Sequence, residues 1–477
     1  MTRIQVAFLA TVMVTAMGCG GGGDNPFVHA ETTRLVDGKG RPLPLRGVAL
    51  GGWLYHEPWI TNFDYQPWER VVVEADRLGQ GAAAREVVKA LGQEDGGDLA
   101  KVQPALAAKI GDAAAREVVD AARAWTSMWG DGEAPLYDAL DRRFGKAGRK
   151  QIVGAFRDAW ITEADVAAIA QLGLNTVRIA TGWRDLVEVE GGAQPSGALV
   201  FDEEGFRRVE QLLDWCEKYG LYAVMDLQDS PGGHNGVTGS PKRLYDDPAA
   251  QEQVVALWVE IARRLKTRTS VAAYSLLAEP TAAPTVEAMV AMYKRLHDAI
   301  RATGDRHLLV IHDGFKDLAS LPKPAAVPWT GVVYSTHLFD WGVESLGQYQ
   351  ALATIYENQF EDAESTAQVP VFVGSFSTIV DQPFGYDALG VYLDTFEKHG
   401  WAWSIWTWKR VDDPLARELF GETTMWGVVQ TPGAGWQRPD PAHDDLATMI
   451  AKMATYESSR FTTNARFAEA IRARLAR

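Results

Sequence analysis

Two cysteines in 477 residues are too few to staple a chain of this length, and one of them, Cys19, sits in the extreme N-terminal segment. The fold therefore relies on no disulfide. Long runs of lysine and arginine are also missing. With a net charge of −15 and a pI near 5.2, nothing here tracks a phosphate backbone, so nucleic acid is excluded as a partner. The nine histidines are scattered and no closely spaced Cys/His set exists, so no metal is implied. No glycine-rich phosphate fingerprint follows the first strand-like run, and no cofactor of any kind is expected. Beyond residue 17 no stretch is long and apolar enough to cross a membrane.

The N-terminus reads as a targeting segment. Arg3 supplies a positive start, Ile4 to Met17 is apolar but short, and the run ends in TAMGCGGGGDN. This resembles a bacterial lipoprotein signal over residues 1–19, with Cys19 acylated and 20–33 as a flexible linker, although Ala16 stands where such signals prefer leucine. An ordinary secretory signal that happens to contain a cysteine is the alternative. Either way the chain is expected to be exported. It would be an outer-membrane or cell-surface lipoprotein touching the membrane only through its lipid, or a periplasmic or extracellular protein.

What is abundant is apolar and aromatic: 47% hydrophobic residues and 17 tryptophans, which serve either as core filler or as stacking platforms for sugar rings. RLVDGKGRPLPLRG suggests a small N-terminal hairpin turning at Asp37-Gly38. VALGGW (48–53), NTVRIAT (175–181), LYAVMDLQ (221–228), VAAYSLLAEP (271–280), HLLVIHDG (307–314), GVVYSTHLF (331–339), VPVFVGSF (369–376) and WAWSIWTWK (401–409) are unalternating runs suited to strands buried on both faces. Amphipathic helices are expected at 163–174, 204–221, 251–265, 286–303 and 385–400. Eight strands with intervening helices predict an α/β fold, a (β/α)8 barrel, with function at the strand C-termini. Arg178, Asp226, Gln228, Glu279, His312, Asp313, His337 and Trp406 cluster at those ends. An open doubly wound sheet is the structural alternative.

The barrel is expected over 34–460, interrupted between its first two strands by an Ala-rich insertion at 62–160. That insertion repeats AAAREVV at 82–88 and 113–119. It reads as a helical hairpin beside the barrel mouth, either a lid, a surface for a protein partner, or an idle decoration. Residues 461–477 read as a helical tail.

Several segments, taken in order, resemble glycoside hydrolase family 5, in particular its cellulases and exo-β-1,3-glucanase-like members. They are LRGVALGGWLYHEPWI, DAWITEADVAAIAQLGLNTVRIATGW, DWCEKYGLYAVMDLQDSPGGHNG, SLLAEP, YSTHLF and WSIWTWK. The resemblance implies a β-glucan or related oligo- or polysaccharide in a barrel-mouth cleft. It also implies two carboxylates about 5–5.5 Å apart across the scissile bond. By motif position the acid/base is Glu279 and the nucleophile position is Ser375, in VFVGSFS. Ala278 stands where the family has asparagine for the 2-hydroxyl, Gln228 where it has histidine, and Phe339 where it has tyrosine. Glu57, Arg178, His234, Asn235, His337, Trp406 and Trp408 match sugar-contacting positions. Read from residues alone, Arg178 could instead pair with Glu279. One of Trp406 and Trp408 could be filler, His337 could be a structural histidine, Glu57 could be solvated, and His234 and Asn235 could belong to a plain turn.

A neutral hydroxyl at position 375 offers no anion to an oxocarbenium-like transition state, and no base is evident to activate it. Without a partner carboxylate, the pKa of Glu279 is expected to fall toward an ordinary value. Three functions follow. The first is a pseudoglycosidase that binds glycan without efficient O-glycosyl hydrolysis. The second is an active glycosidase in which Asp229, Asp313, Asp340 or Asp381 substitutes. The third is a non-catalytic interaction protein acting through 62–160.

Overall fold

The computed structural model describes residues 25–126, 133–236, 241–378, 382–421 and 426–475. The Cys19 and Asp381 positions lie outside the described residues. Among the described residues there are twelve strands: β1 (His29–Glu31), β2 (Arg34–Val36), β3 (Arg46–Ala49), β4 (Thr176–Gly182), β5 (Tyr222–Asp229), β6 (Val271–Ser275), β7 (Leu308–His312), β8 (Val332–Leu338), β9 (Val371–Phe376), β10 (Ala402–Ile405), β11 (Val429–Pro432) and β12 (Phe461–Thr463).

Strands β3 to β10 pair in sequence, all parallel, and β10 returns to β3 to close an eight-stranded barrel. The expected (β/α)8 architecture is what forms. Val, Ile, Leu and aromatic residues with no polar alternation suit strands covered on both faces, and β4, β6, β7, β8, β9 and β10 are buried along their whole length. Helices Glu163–Gln171, Glu203–Tyr219, Pro248–Leu265, Val286–Ala302 and Gly385–His399 lie where amphipathic spacing placed them. Helix Leu346–Ala367 was not anticipated. Alanines 353, 363 and 367 supply much of its buried face, which leaves a faint hydrophobic stripe.

The N-terminal hairpin is formed by β1 and β2, antiparallel, with Val36 bridging Pro42 beyond them. The Asp37-Gly38 turn follows, where the Asp37 carboxylate accepts the N–H groups of Lys39 and Arg41 at 2.9 and 3.0 Å. Val28, Leu35 and Leu45 pack with Leu308, Val333, Phe372 and Ala402 from the first residues of the strands, so the hairpin plugs the bottom of the barrel.

Between β3 and β4 the chain forms a short helix, Pro58–Thr61, and then five longer ones rather than a hairpin: Pro67–Arg77, Gly81–Gly97, Leu99–Ile110, Asp112–Thr126 and Ala134–Trp160. The two AAAREVV copies lie on Gly81–Gly97 and Asp112–Thr126. Each contributes the same three positions, Ala84, Val87 and Val88 or Ala115, Val118 and Val119, to a small separate core. Leu419 and Phe420 of helix Pro414–Phe420, beyond β10, complete that core, with Trp68 edge-on to Phe420 at 5.2 Å. A buried ionic seam fixes the join. Arg438 forks onto Glu69 (2.5 and 3.0 Å) and stacks on Tyr65 at 4.0 Å, while Arg70 reaches Asp440 at 3.0 Å. Helix Ala134–Trp160 instead joins the main core through Leu140, Ile152, Phe156 and Trp160. Beyond 460, β12 pairs with β11, and helix Ala465–Leu475 buries Phe467 and Ile471, so the described part of the tail, 461–475, is packed rather than trailing.

Candidate functional site

A cavity of about 740 Å3 opens at the C-terminal ends of the barrel strands. Gln228, Glu279, His337, Ser375 and Trp406 from the strand ends line it, together with Glu57, Asn235 and Phe339. The structure thus brings eight of the sequence-nominated residues into one cavity wall. Four others lie behind it. Arg178 is 1% exposed and sits below the floor, its Nη2 donating to Asp226 at 2.8 Å and its guanidinium 5.8 Å from the Trp406 ring. It pairs with Asp226 and not with Glu279. His234 is fully buried, bonded to the Ala278 carbonyl at 2.7 Å and to Ser230 Oγ at 3.0 Å, so these two positions shape the loop that carries Glu279. Trp408 faces the helix layer, its indole N–H donating to Asp165 at 2.9 Å. Alternation along a strand would set Trp406 and Trp408 on one side, but β10 ends at Ile405 and the rule stops there.

Glu279 follows β6 with φ of +51°, a left-handed conformation uncommon outside glycine, and is followed by Pro280. Its Oε1 lies 2.6 Å from His337 Nδ1. Burial holds His337, His312 and His234 below the ordinary imidazole range, His234 at about 4. They are neutral at pH 7, which leaves Arg178 as the fixed positive charge nearby. Burial raises Glu279 above the usual carboxylate range, and the Arg178 guanidinium offsets this only in part. The expectation of an ordinary acid fails because desolvation, which needs no second carboxylate, supplies the upward push. Oε1 and Nδ1 share one proton: the imidazole accepts it when the acid is protonated and donates its own when the acid is ionised. His312 Nδ1 accepts the Gly314 N–H at 2.8 Å, which places the proton of this second ring on Nε2. The two imidazoles meet edge to face at 4.4 Å.

Ser375, next to last in β9, stands opposite His337 in the strand register. Its hydroxyl is buried, and among the described residues no hydrogen-bond partner reaches it. The glycine before it is a steric requirement. A Cβ at Gly374 would stand 2.7 Å from Ser335 Oγ and 3.0 Å from His337 Nε2, so only glycine lets β9 pass this close to the imidazole. On the floor Arg178 Nε and Nη1, Asp226 Oδ1 and His312 Nε2 are buried and likewise unmatched.

Of the carboxylates nominated as substitutes, the three among the described residues, Asp229, Asp313 and Asp340, do not line the cavity. Asp229 is ion-paired with Arg184 at 3.0 Å, and Asp340 accepts from the hydroxyls of Tyr356 and Tyr392. Asp313 receives the Phe315 N–H at 3.0 Å, and burial lifts its pKa to about 7. The carboxylates that do line the cavity besides Glu279 are Glu57, Asp412 and Asp413. Asp413 caps helix Pro414–Phe420 through Leu415 N–H at 2.8 Å, and Asp412 pairs with Arg417.

Sequence reasoning missed much of the outer wall. Asn62, Gln66 and Gln93 come from the insertion, Trp59 and Ala416 from the short helices Pro58–Thr61 and Pro414–Phe420, and Phe315, Trp341, Arg410 and Trp426 from loops. None belongs to a spaced motif; HEPWI and HLFDW were the available signals, and both stood beside residues already nominated. Among the described residues, Glu357, Glu361 and His399 could bring ligand atoms within 4.8 Å of one another for a metal. They lie on outer helices, none lines the cavity, and Lys398 and His399 already bind Glu357.

Comparison with known proteins agrees with this geometry. The family Cellulase (glycosyl hydrolase family 5) matches residues 144–412. A beta-xylosidase of Phanerodontia chrysosporium is 24% identical over 413 residues, 81% of this chain and 71% of that protein. A glucan 1,3-beta-glucosidase of Blumeria graminis is 29% identical over 196 residues, 41% of this chain and 30% of its own length. The crystal structure of an endogalactoceramidase superposes with a TM-score of 0.52 at 17% identity, covering 90% of this chain and 85% of that one; at that identity the likeness speaks to fold alone.

Proposed function

This chain belongs to glycosyl hydrolase family 5, and from that premise we propose that its cleft binds a β-glucan or related glycan while O-glycosyl hydrolysis is lost or strongly impaired. The observation that carries the reading is Ser375: a neutral, unpartnered hydroxyl at the end of the seventh barrel strand, in the same cavity as Glu279. Retaining hydrolysis needs an anion there to form the glycosyl ester and to balance developing positive charge. Ser375 has neither the charge nor a base within hydrogen-bonding reach. Glu279 keeps the raised pKa suited to an acid, and His337 holds its orientation, but an acid alone leaves the oxocarbenium-like centre without support. The neighbouring departures point the same way. Ala278 is buried and offers only its backbone to the loop, and Phe339 lines the cavity without a hydroxyl.

Binding, in contrast, has its parts in place. Gln228, Asn235 and Arg410 put polar side chains on the cavity lining, and Trp406 forms part of its wall. The fungal relatives named above are a beta-xylosidase and a glucan 1,3-beta-glucosidase, which favours β-linked sugars. Export through the N-terminal segment, with Cys19 as lipid attachment point, belongs to the same reading. Loss of membrane association in Cys19→Ala tests that part.

A second reading is a working glycosidase using another carboxylate. Glu57, Asp412 and Asp413 favour it, since they line the cavity. An inverting route requires one of them at about 6.5–9.5 Å from Glu279 with water between. Calorimetry with laminari-, cello- and manno-oligosaccharides, alongside reducing-end release, separates the two. Binding without turnover supports the proposal. Turnover abolished by Glu279→Gln overturns it in favour of the second reading. Absence of any glycan binding overturns both and favours a partner surface on the insertion.

A further inference from the structure

The outer half of the cavity is chemically unlike its floor. Phe339, Trp341 and Trp426 form a continuous stack, with centroids 5.1–6.3 Å apart and planes within 33°, and Trp59 meets Trp426 edge-on at 5.5 Å. All three pairs are in offset contact, so the rings make one contiguous surface. The stack is therefore an apolar wall more than a set of separate sugar floors. Its outermost member, Trp341, is 69% exposed. On the preceding strand-to-helix loop Phe315 is 49% exposed and lines the same cavity. These are the exposed large aromatic side chains among the described residues, and both stand at this mouth.

Neither ring is there through slackness. Asp340, beside Trp341, accepts from two tyrosine hydroxyls, Tyr356 at 2.5 Å and Tyr392, so the loop is tied at its base. Phe315 is held at φ of +59°, a left-handed conformation that disfavours a bulky side chain, by its N–H bond to the Asp313 carboxylate at 3.0 Å. Backbone strain and buried hydrogen bonds are thus committed to keeping two large apolar surfaces in water. Such surfaces at a cavity rim mark a ligand that covers them.

We infer that this half of the cavity takes the apolar aglycone of a β-glycoside, an alkyl or aryl group carried by a sugar seated near Glu279. The inference rests on the reading of the cleft as a glycoside site and names the class of glycoside. It differs from a longer sugar chain, whose hydroxyls would find no partners along the aromatic stack.

The test is titration of the full chain with methyl, butyl, hexyl and octyl β-glucosides below micelle-forming concentrations. Phenyl and naphthyl β-glucosides follow, with laminari-oligosaccharides as the sugar-only ligands. Affinity should rise about two- to threefold per added methylene, short of the roughly fourfold of complete burial because the wall is open on one side. Trp341→Ala should flatten the series; the side chain is mostly exposed, so its removal leaves the core intact. A steeper gain along the alkyl series identifies a lipid-like aglycone, and a larger gain for the aryl series a flat aromatic one. Laminari-oligosaccharide binding with no dependence on aglycone overturns this inference and leaves the glycan reading standing. Absence of binding by every glycoside overturns both.

Discussion

Changing Ser375 to glutamate places a carboxylate where β9 now carries an unmatched hydroxyl. The longer side chain has room, because Ser375 borders a cavity of about 740 Å3 and not packed core. It also has a counter-charge nearby, since Arg178 is 1% exposed and two of its donor nitrogens lack acceptors. At the 5–5.5 Å spacing of retaining pairs, a second carboxylate would repel the Glu279 anion by about 3 kcal/mol at an effective dielectric of about 20, or about two pH units. Burial already raises Glu279, so in Ser375→Glu the acid form should persist about two units higher than in the parent chain. One substitution thereby supplies the nucleophile and strengthens the acid. Release of nitrophenol from aryl β-glucosides, followed against pH, reads both effects. Turnover should appear above the parent level, with a basic limb displaced upward, and should increase in Ser375→Glu/Ala278→Asn. Both variants remaining folded by thermal melt and binding glycan, yet as inactive as the parent, would refute the placement of the nucleophile at 375.

Three further outcomes follow from the surroundings of the site. Gly374→Ala sets a methyl 3.0 Å from His337 Nε2 and should push the ring off Glu279. The loss of that hydrogen bond, about 1.5–3 kcal/mol for a charged partner, is read as weakened glycan binding by calorimetry with little change in secondary structure by circular dichroism. Arg438→Ala strands Glu69 in a buried seam and should lower stability by about 3–5 kcal/mol in urea melts. An unchanged midpoint would mean the insertion is not held by that pair. Asp313 is raised from 3.8 to about 7, so the folded chain binds more protons than the unfolded chain between those values. Its contribution to stability is present below about pH 4 and is lost as pH rises to about 7, by at most about 4 kcal/mol. Asp313→Asn should flatten that part of the stability–pH curve, and an unaltered slope would sink the assignment.

The barrel was legible because burial on both faces of a parallel strand leaves a local trace: short β-branched and aromatic runs without alternation, most of them separated by amphipathic helices. All eight strands were placed this way. Helix Leu346–Ala367 escaped because alanines, which carry little hydrophobic contrast, form much of its buried face. Residues at strand ends were legible for the same reason, since the fold delivers every strand C-terminus to one face. Gln228, Glu279, His337, Ser375 and Trp406 thus came together as expected, while Trp408 fell outside because alternation lapses where β10 ends.

The chain by itself determined the barrel, the family it resembles and the serine where a nucleophile would stand, because each is written in contiguous residues. Only the tertiary structure decided what surrounds that serine. It set Arg178 against Asp226, held Glu279 high by desolvation and bound Asp229 and Asp340 to other partners. It also brought Trp59, Phe315, Trp341 and Trp426 to one wall from segments far apart in the chain. Burial, pairing and ring stacking are properties of neighbours in space, and no local spacing encodes them.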